Sequence, residues 1–103
     1  RWLEGSLQPA GRLVIDTGAM HALARGSSLL PAGVRSVEGV FERGDLVLVL
    51  SETQQLLGRG LTAYGSTDAA RIIGHRSDAI EALLGWRGRD EMIHRDDLVL
   101  DAN

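Results

Sequence analysis

The run Leu46-Val47-Leu48-Val49-Leu50 contains no polar residue, so a strand built from it must be covered on both faces rather than on one. A polar stretch, Ser51 to Gln55, follows as a hairpin connection to a second strand from Leu56 through Tyr64. Gly58 and Gly60 stand inside that second strand. Two residues without Cβ in a strand signal a sharp bend or another backbone lying close by, as barrel corners require.

The segments around this pair are short and strongly punctuated. Residues 1–12 hold Gly5, Pro9 and Gly11 among polar residues with no clear period, and are expected to be a linker. The domain is expected to run from Leu13 to Asn103, opening on the strand Leu13-Val14-Ile15. Asp16-Thr17-Gly18 ends that strand, Gly18 supplying positive φ. A helix over Ala19–Arg25 follows, with Ala19, Ala22 and Leu23 on one face and Gly26 as a left-handed cap. Leu29-Leu30-Pro31 is expected to plug the core. Val34 to Phe41 reads as a strand bulged at Gly39, and Arg43-Gly44-Asp45 as a turn. Two helices come next, Thr67–Ile73 capped by Ser66 and Asp78–Leu84 capped by Ser77, each closed by a glycine. Met92-Ile93-His94 and Leu98-Val99-Leu100 are expected to be closing strands. Short strands with small helices between them imply a compact α+β barrel.

Composition narrows the chemistry. The 103 residues, 44% apolar, suffice for one core, and no apolar run approaches a membrane span of roughly 18 residues. Arg1-Trp2-Leu3 is neither an initiator nor a signal-like segment, so a piece of a larger soluble protein is expected. No cysteine is present, which excludes disulfides and thiolate metal sites and suits a reducing compartment. All eleven basic residues are Arg, and the formal net charge is −3. Without Lys, the chain lacks the usual phosphate lysine of phosphoryl transfer. Any RNA contact needs a local Arg face, because counterion displacement supplies most of that affinity.

The sharpest candidate site is the corner at Gly18. Amides of Ala19, Met20 and His21 opening a helix could hold a phosphate, with Arg25 a turn or two on, although a plain strand-to-helix turn is the commoner meaning. Arg25 and Arg35, together with the Gly18 and Ser27 amides, would then form one cationic edge. His21, His75 and His94 share no metal-ligand spacing, so no metal site is expected. His94-Arg95-Asp96-Asp97 reads as a turn laced by Arg–carboxylate pairs rather than an acid/base group. Trp2 and Tyr64 are expected as anchors, and Trp86 as a stacking or partner contact.

Four blocks in order, GRLVIDTGAMHALARGSSLLPAGV, GVFERGDLVLV, GRGLTAY and IIGHRSDAIEALLG, resemble the PUA domain, named after pseudouridine synthases and archaeosine transglycosylases. The likeness runs from about Gly11 to Leu100. The lead-in RWLEGSLQPAGRL and the tail EMIHRDDLVL make it similar to the C-terminal PUA domain of the bacterial glutamate 5-kinase family. That resemblance implies a PUA-like pseudo-barrel of about six mostly antiparallel strands with two or three small helices. It implies a cytoplasmic parent that phosphorylates the γ-carboxylate of L-glutamate with ATP and Mg²⁺, the first step of proline synthesis. Kinase residues and cofactors would lie in an N-terminal amino-acid kinase domain, leaving these residues no catalytic position and no cofactor of their own. The implied partners are that kinase domain and possible further copies of the chain, with no membrane. RNA-binding relatives imply a contact through Gly18, Ala19, His21, Ala22, Arg25, Ser27 and Arg35, whereas the kinase family implies a regulatory or assembly role.

Overall fold

A computed structural model describes residues 8–101 of the chain. The Trp2 anchor and most of the expected linker lie outside the described residues. Strand β1 (Gly11–Ile15) leads to helix α1 (Thr17–Ala24), then β2 (Val34–Gly39), β3 (Leu46–Ser51) and β4 (Leu56–Leu61). Helices α2 (Ser66–Ile72) and α3 (Ile80–Leu84) follow, and β5 (Leu98–Leu100) closes the chain. The sheet runs β2-β1-β3-β4-β5, with β1 and β3 parallel and every other pairing antiparallel. This is the expected α+β pseudo-barrel, with five strands among the described residues. Met92–His94 is not a strand: only an isolated bridge joins Ile93 to Leu29.

Register explains the two glycines. Gly58 lies opposite Val49 and Gly60 opposite Val47, so both occupy the face from which Leu13, Ile15, Val47 and Val49 enter the core. A Cβ on Gly58 would come within 2.4 Å of the Val99 carbonyl oxygen, and one on Gly60 within 2.8 Å of both Asp97 O and Ile93 Cγ2. The bare face of β4 is therefore where β5 and Ile93 press in, and side chains there would hold the barrel open. Leu23 from α1, Ala69 and Ile72 from α2, Ile80 from α3, and Tyr64, Met92 and Ile93 from loops complete the core. On the opposite face of the sheet, Val14, Leu46 and Leu50 are also buried, as the uninterrupted apolar run of β3 requires.

Several local details depart from expectation. Gly18 has an ordinary φ inside α1, so it is not the residue that turns the chain. The irregularity of β2 falls at Arg35, which is skipped between the pairs Val14–Ser36 and Ile15–Val34, while Gly39 merely ends the strand at φ +97°. Ser66 and Ser77 cap nothing. Ser66 Oγ accepts from the Phe41 amide at 3.1 Å, and Ser77 Oγ donates to the Asp90 carbonyl at 2.7 Å, so each spends its hydroxyl on a distant strand or loop. Leu29 is buried but Leu30 is 48% exposed, because adjacent residues in extended backbone point to opposite sides.

Two glycines in one chain provide the test. Gly58→Ala forces a methyl onto backbone and is expected to cost about 1–3 kcal/mol. That corresponds to a fall in Tm of roughly 4–8 °C per kcal/mol for a domain of this size. Gly18→Ala meets only Asp16 Oδ1 at 3.5 Å within a helix, and is expected to hold or raise Tm in the same calorimetric scan.

Candidate docking edge at helix α1

Helix α1 starts because Asp16 caps it. The Ala19 N–H donates to Asp16 Oδ1 at 2.8 Å and the Met20 N–H to the Asp16 carbonyl at 3.0 Å. Asp16 is fastened in turn by its own amide, which donates to the Gly33 carbonyl at 2.9 Å. Two of the amides expected to be open to a phosphate are thus already paired, and a carboxylate occupies the position an anion would take. The far end of α1 is also closed. Gly26 at φ +89° sends its amide to Leu23 O at 2.9 Å, and the Ser27 amide reaches Ala22 O at 3.1 Å, the two crossed bonds of a Schellman cap.

Three of the seven candidate residues, Ala19, Ala22 and Ser27, line one cleft. Gly18, His21, Arg25, Ser27 and Arg35 are exposed, while Ala19 and Ala22 are half-buried. Arg35 sits 3.6 Å from Glu52, and Arg25 is the C-cap of α1. The cleft lined by Ala19, Ala22 and Ser27 has a volume of about 260 Å³, and its other walls are Ser28, Leu30, Ala32 and Gly33. Its lining is mostly apolar. Leu30 is the wall that the sequence reading missed, and the alternation of buried Leu29 with exposed Leu30 is the signal that finds it.

The other candidates resolve into fastenings. His94 Nδ1 accepts from the Asp96 amide at 3.0 Å, and the Arg95 amide donates to Ser28 Oγ at 2.9 Å, so the HRDD segment is a turn held by a histidine cap, and among the described residues Arg95 pairs with no carboxylate. Among the described residues no three His, Asp or Glu side chains gather as a metal site needs. No helix among them is long and apolar enough to cross a membrane. Trp86, 43% exposed, lays its ring 6.0 Å from that of buried Tyr64, whose hydroxyl donates to the Arg89 carbonyl. Tyr64 thereby clamps the loop between Gly85 and Glu91.

This fold, a twisted mixed sheet closed over a glycine-faced strand with one capped helix at its edge, defines the PUA class: the chain belongs to the PUA domain family, whose model matches residues 11–84. Over 98% of its length it is 57% identical to the glutamate 5-kinase of Paramagnetospirillum magneticum and 54% identical to that of Brucella ovis. It spans only 27% of each of those curated relatives. A PUA domain structure from Aeropyrum pernix superposes with a TM-score of 0.59 at 33% identity, over 84% of this chain and 43% of that one. A chain of an H/ACA ribonucleoprotein bound to a substrate RNA shares the fold at a TM-score of 0.57 and 19% identity, over 84% of this chain and 25% of that one.

Burial, followed by the nearby carboxylates Asp90, Asp68 and Glu91, raises the Tyr64 pKa above its ordinary value of 10.0. The folded state thus favours the neutral phenol: its contribution is complete below pH 10 and fades as pH climbs from there through the raised value. With one Tyr, no Lys and no Cys, the chain has in Tyr64 the one side chain whose ordinary pKa lies between roughly 9 and 12. Tm is expected to fall as pH rises above 10 and to level off where the phenolate absorbance of the folded protein appears. Tyr64→Phe should lower Tm at neutral pH, by about 1 kcal/mol of lost hydrogen bonding, and flatten the alkaline slope.

Proposed function

We propose that the chain is the noncatalytic C-terminal module of a glutamate 5-kinase, regulating or helping to assemble the enzyme rather than performing its chemistry. One observation carries the reading: identity of 57% extends over 98% of the chain but covers 27% of the kinase, as a separate module within that enzyme would. The parent would transfer the γ-phosphoryl group of ATP, with Mg²⁺, to the γ-carboxylate of L-glutamate in the cytoplasm, through groups in its preceding amino-acid kinase domain. The residues here contribute an apolar cleft, a capped helix and a rigid barrel, all suited to contact rather than turnover. Deleting residues 8–103 from the parent is expected to leave glutamate-dependent ATP turnover in place while changing its inhibition by proline or its oligomeric state. The isolated module is expected to turn over no ATP. Loss of turnover with unchanged folding of the kinase portion would show a catalytic contribution and defeat the reading.

A second reading, RNA contact through Gly18, Ala19, His21, Ala22, Arg25, Ser27 and Arg35, is supported by the fold shared with a chain of an RNA-bound ribonucleoprotein. Three facts oppose it: the Asp16 carboxylate at the helix start, the Glu52 partner of Arg35, and a formal charge of −3. Phosphate neutralisation needs cations that are not already paired. Fluorescence anisotropy at low salt is expected to detect no RNA binding at micromolar protein, with Arg25→Ala indistinguishable from the parent sequence. Micromolar binding that weakens steeply with salt and with Arg25→Ala would reverse the ranking.

A further inference from the structure

The end of β1 opposite the α1 edge carries a cleft that nothing above uses. It has a volume of about 330 Å³ and is lined by Pro9, Ala10, Gly11, Arg12, Glu38, Gly39 and Leu48. Gly11 and Gly39 face each other across the β1–β2 ladder, so part of the floor is bare backbone. Those glycines are structurally fixed: a Cβ on Gly11 would lie 2.4 Å from Phe41 Cδ2, and one on Gly39 would lie 2.7 Å from Ala10 O. Leu48 is the one residue of β3 that is not fully buried, and Val40, beside Gly39, is 87% exposed. Arg12 and Glu38 are cross-strand neighbours at the rim, and among the described residues neither forms an ion pair with the other or with a third residue. The cleft therefore offers an apolar wall, a peptide floor, one cation and one anion.

We propose that this cleft is the seat of the domain that precedes this one in the parent polypeptide. The inference rests on the reading of the chain as one module of a longer kinase, and it assigns the contact surface between the two. Location carries it. The polypeptide enters β1 through Pro9 and Ala10, which are themselves walls of the cleft, and the Ala10 amide is pinned to Leu46 O at 2.8 Å. Whatever precedes Pro9 in a longer polypeptide therefore leaves this barrel beside the opening, which places a preceding domain on the cleft's side of the molecule. By contrast, the α1 cleft lies at the other end of β1, about 17 Å along the strand. The chemistry fits a protein surface: an apolar side chain against Leu48 and Pro9, backbone groups over the glycine floor, and an acid and a base for Arg12 and Glu38. A polyanion would meet Glu38 at the rim.

The test uses the full-length parent protein with a photoreactive benzophenone side chain replacing Leu48, and, in separate proteins, Glu38 or Glu81. Glu38 is exposed at the rim, so it covers the case in which substitution at Leu48 impairs folding. Glu81 is exposed on α3, away from the cleft. Isotope-mixed copies separate links within one chain from links between chains. Links from positions 48 and 38 to peptides of the preceding domain of the same chain are expected, with few from 81, and Arg12→Glu should lower their yield several-fold. Links that run mainly between copies, that arise equally from position 81, or that are missing from both 48 and 38 would overturn the assignment. Kinase activity and proline inhibition, measured on the same preparations, report separately on the functional reading.

Discussion

Close approach of backbone to backbone across β4 is the constraint on which the rest of this structure depends. Because Gly58 and Gly60 leave the core face of that strand bare, β5 can lie against it with Val99 O and Asp97 O where side chains would otherwise stand. The same opening admits Ile93, which reaches over Gly60 and bridges to Leu29. Leu29 in turn positions the extended Leu30 that walls the α1 cleft. Closure of the barrel and shape of the edge are thus one event, since a side chain on β4 would displace Ile93, then Leu29, then the cleft.

Apart from Gly18 and Gly39, residues whose role follows from backbone geometry were readable from sequence, and residues whose role depends on a distant partner were not. The apolar run of β3 and the bare positions of β4 have one structural meaning each, as do Gly26, Gly74 and Gly85, all found at positive φ after a helix. Ser66 and Ser77 have two. A hydroxyl ahead of an apolar-periodic segment is a helix cap unless another donor or acceptor claims it, and here Phe41 and Asp90 do. The skipped residue in β2 is equally opaque, because Arg35 has no local signature of a bulge and is placed by the mismatch of β1 against β2. Met92-Ile93-His94 has strand composition but finds only one bridge partner in Leu29, so it packs as a buried bend.

The candidate site illustrates a sharper ambiguity. An acidic residue before a small residue at a helix start is the ordinary N-cap, and open amides at the same place are the ordinary phosphate cradle. Asp16 decides between them, because its carboxylate is already the anion that the helix start binds. With the Ser27 amide spent on Ala22 O, both ends of α1 carry internal caps. What remains outward is the apolar face of the cleft and the Arg25 side chain, a surface better matched to a protein than to a polyphosphate.

The placement of the two clefts bears on how such a module can act on an enzyme. Strand β1 joins them, bonded to β2 on one side and β3 on the other along all five residues. Allosteric transmission between two sites needs an element with two discrete arrangements of comparable energy. Nothing about β1 supplies one: Leu13 and Ile15 are fully buried, Gly11 and Gly39 are packed against backbone, and Asp16 is tied to both α1 and Gly33. A slip of one residue would turn its core side chains to the other face. Strand β1 therefore offers no switch between the two ends, and under the function proposed above any influence on an attached kinase would come from where the whole barrel sits and what its far edge touches. Under that constraint, the proposed regulation and assembly would be two outcomes of a single mechanical property.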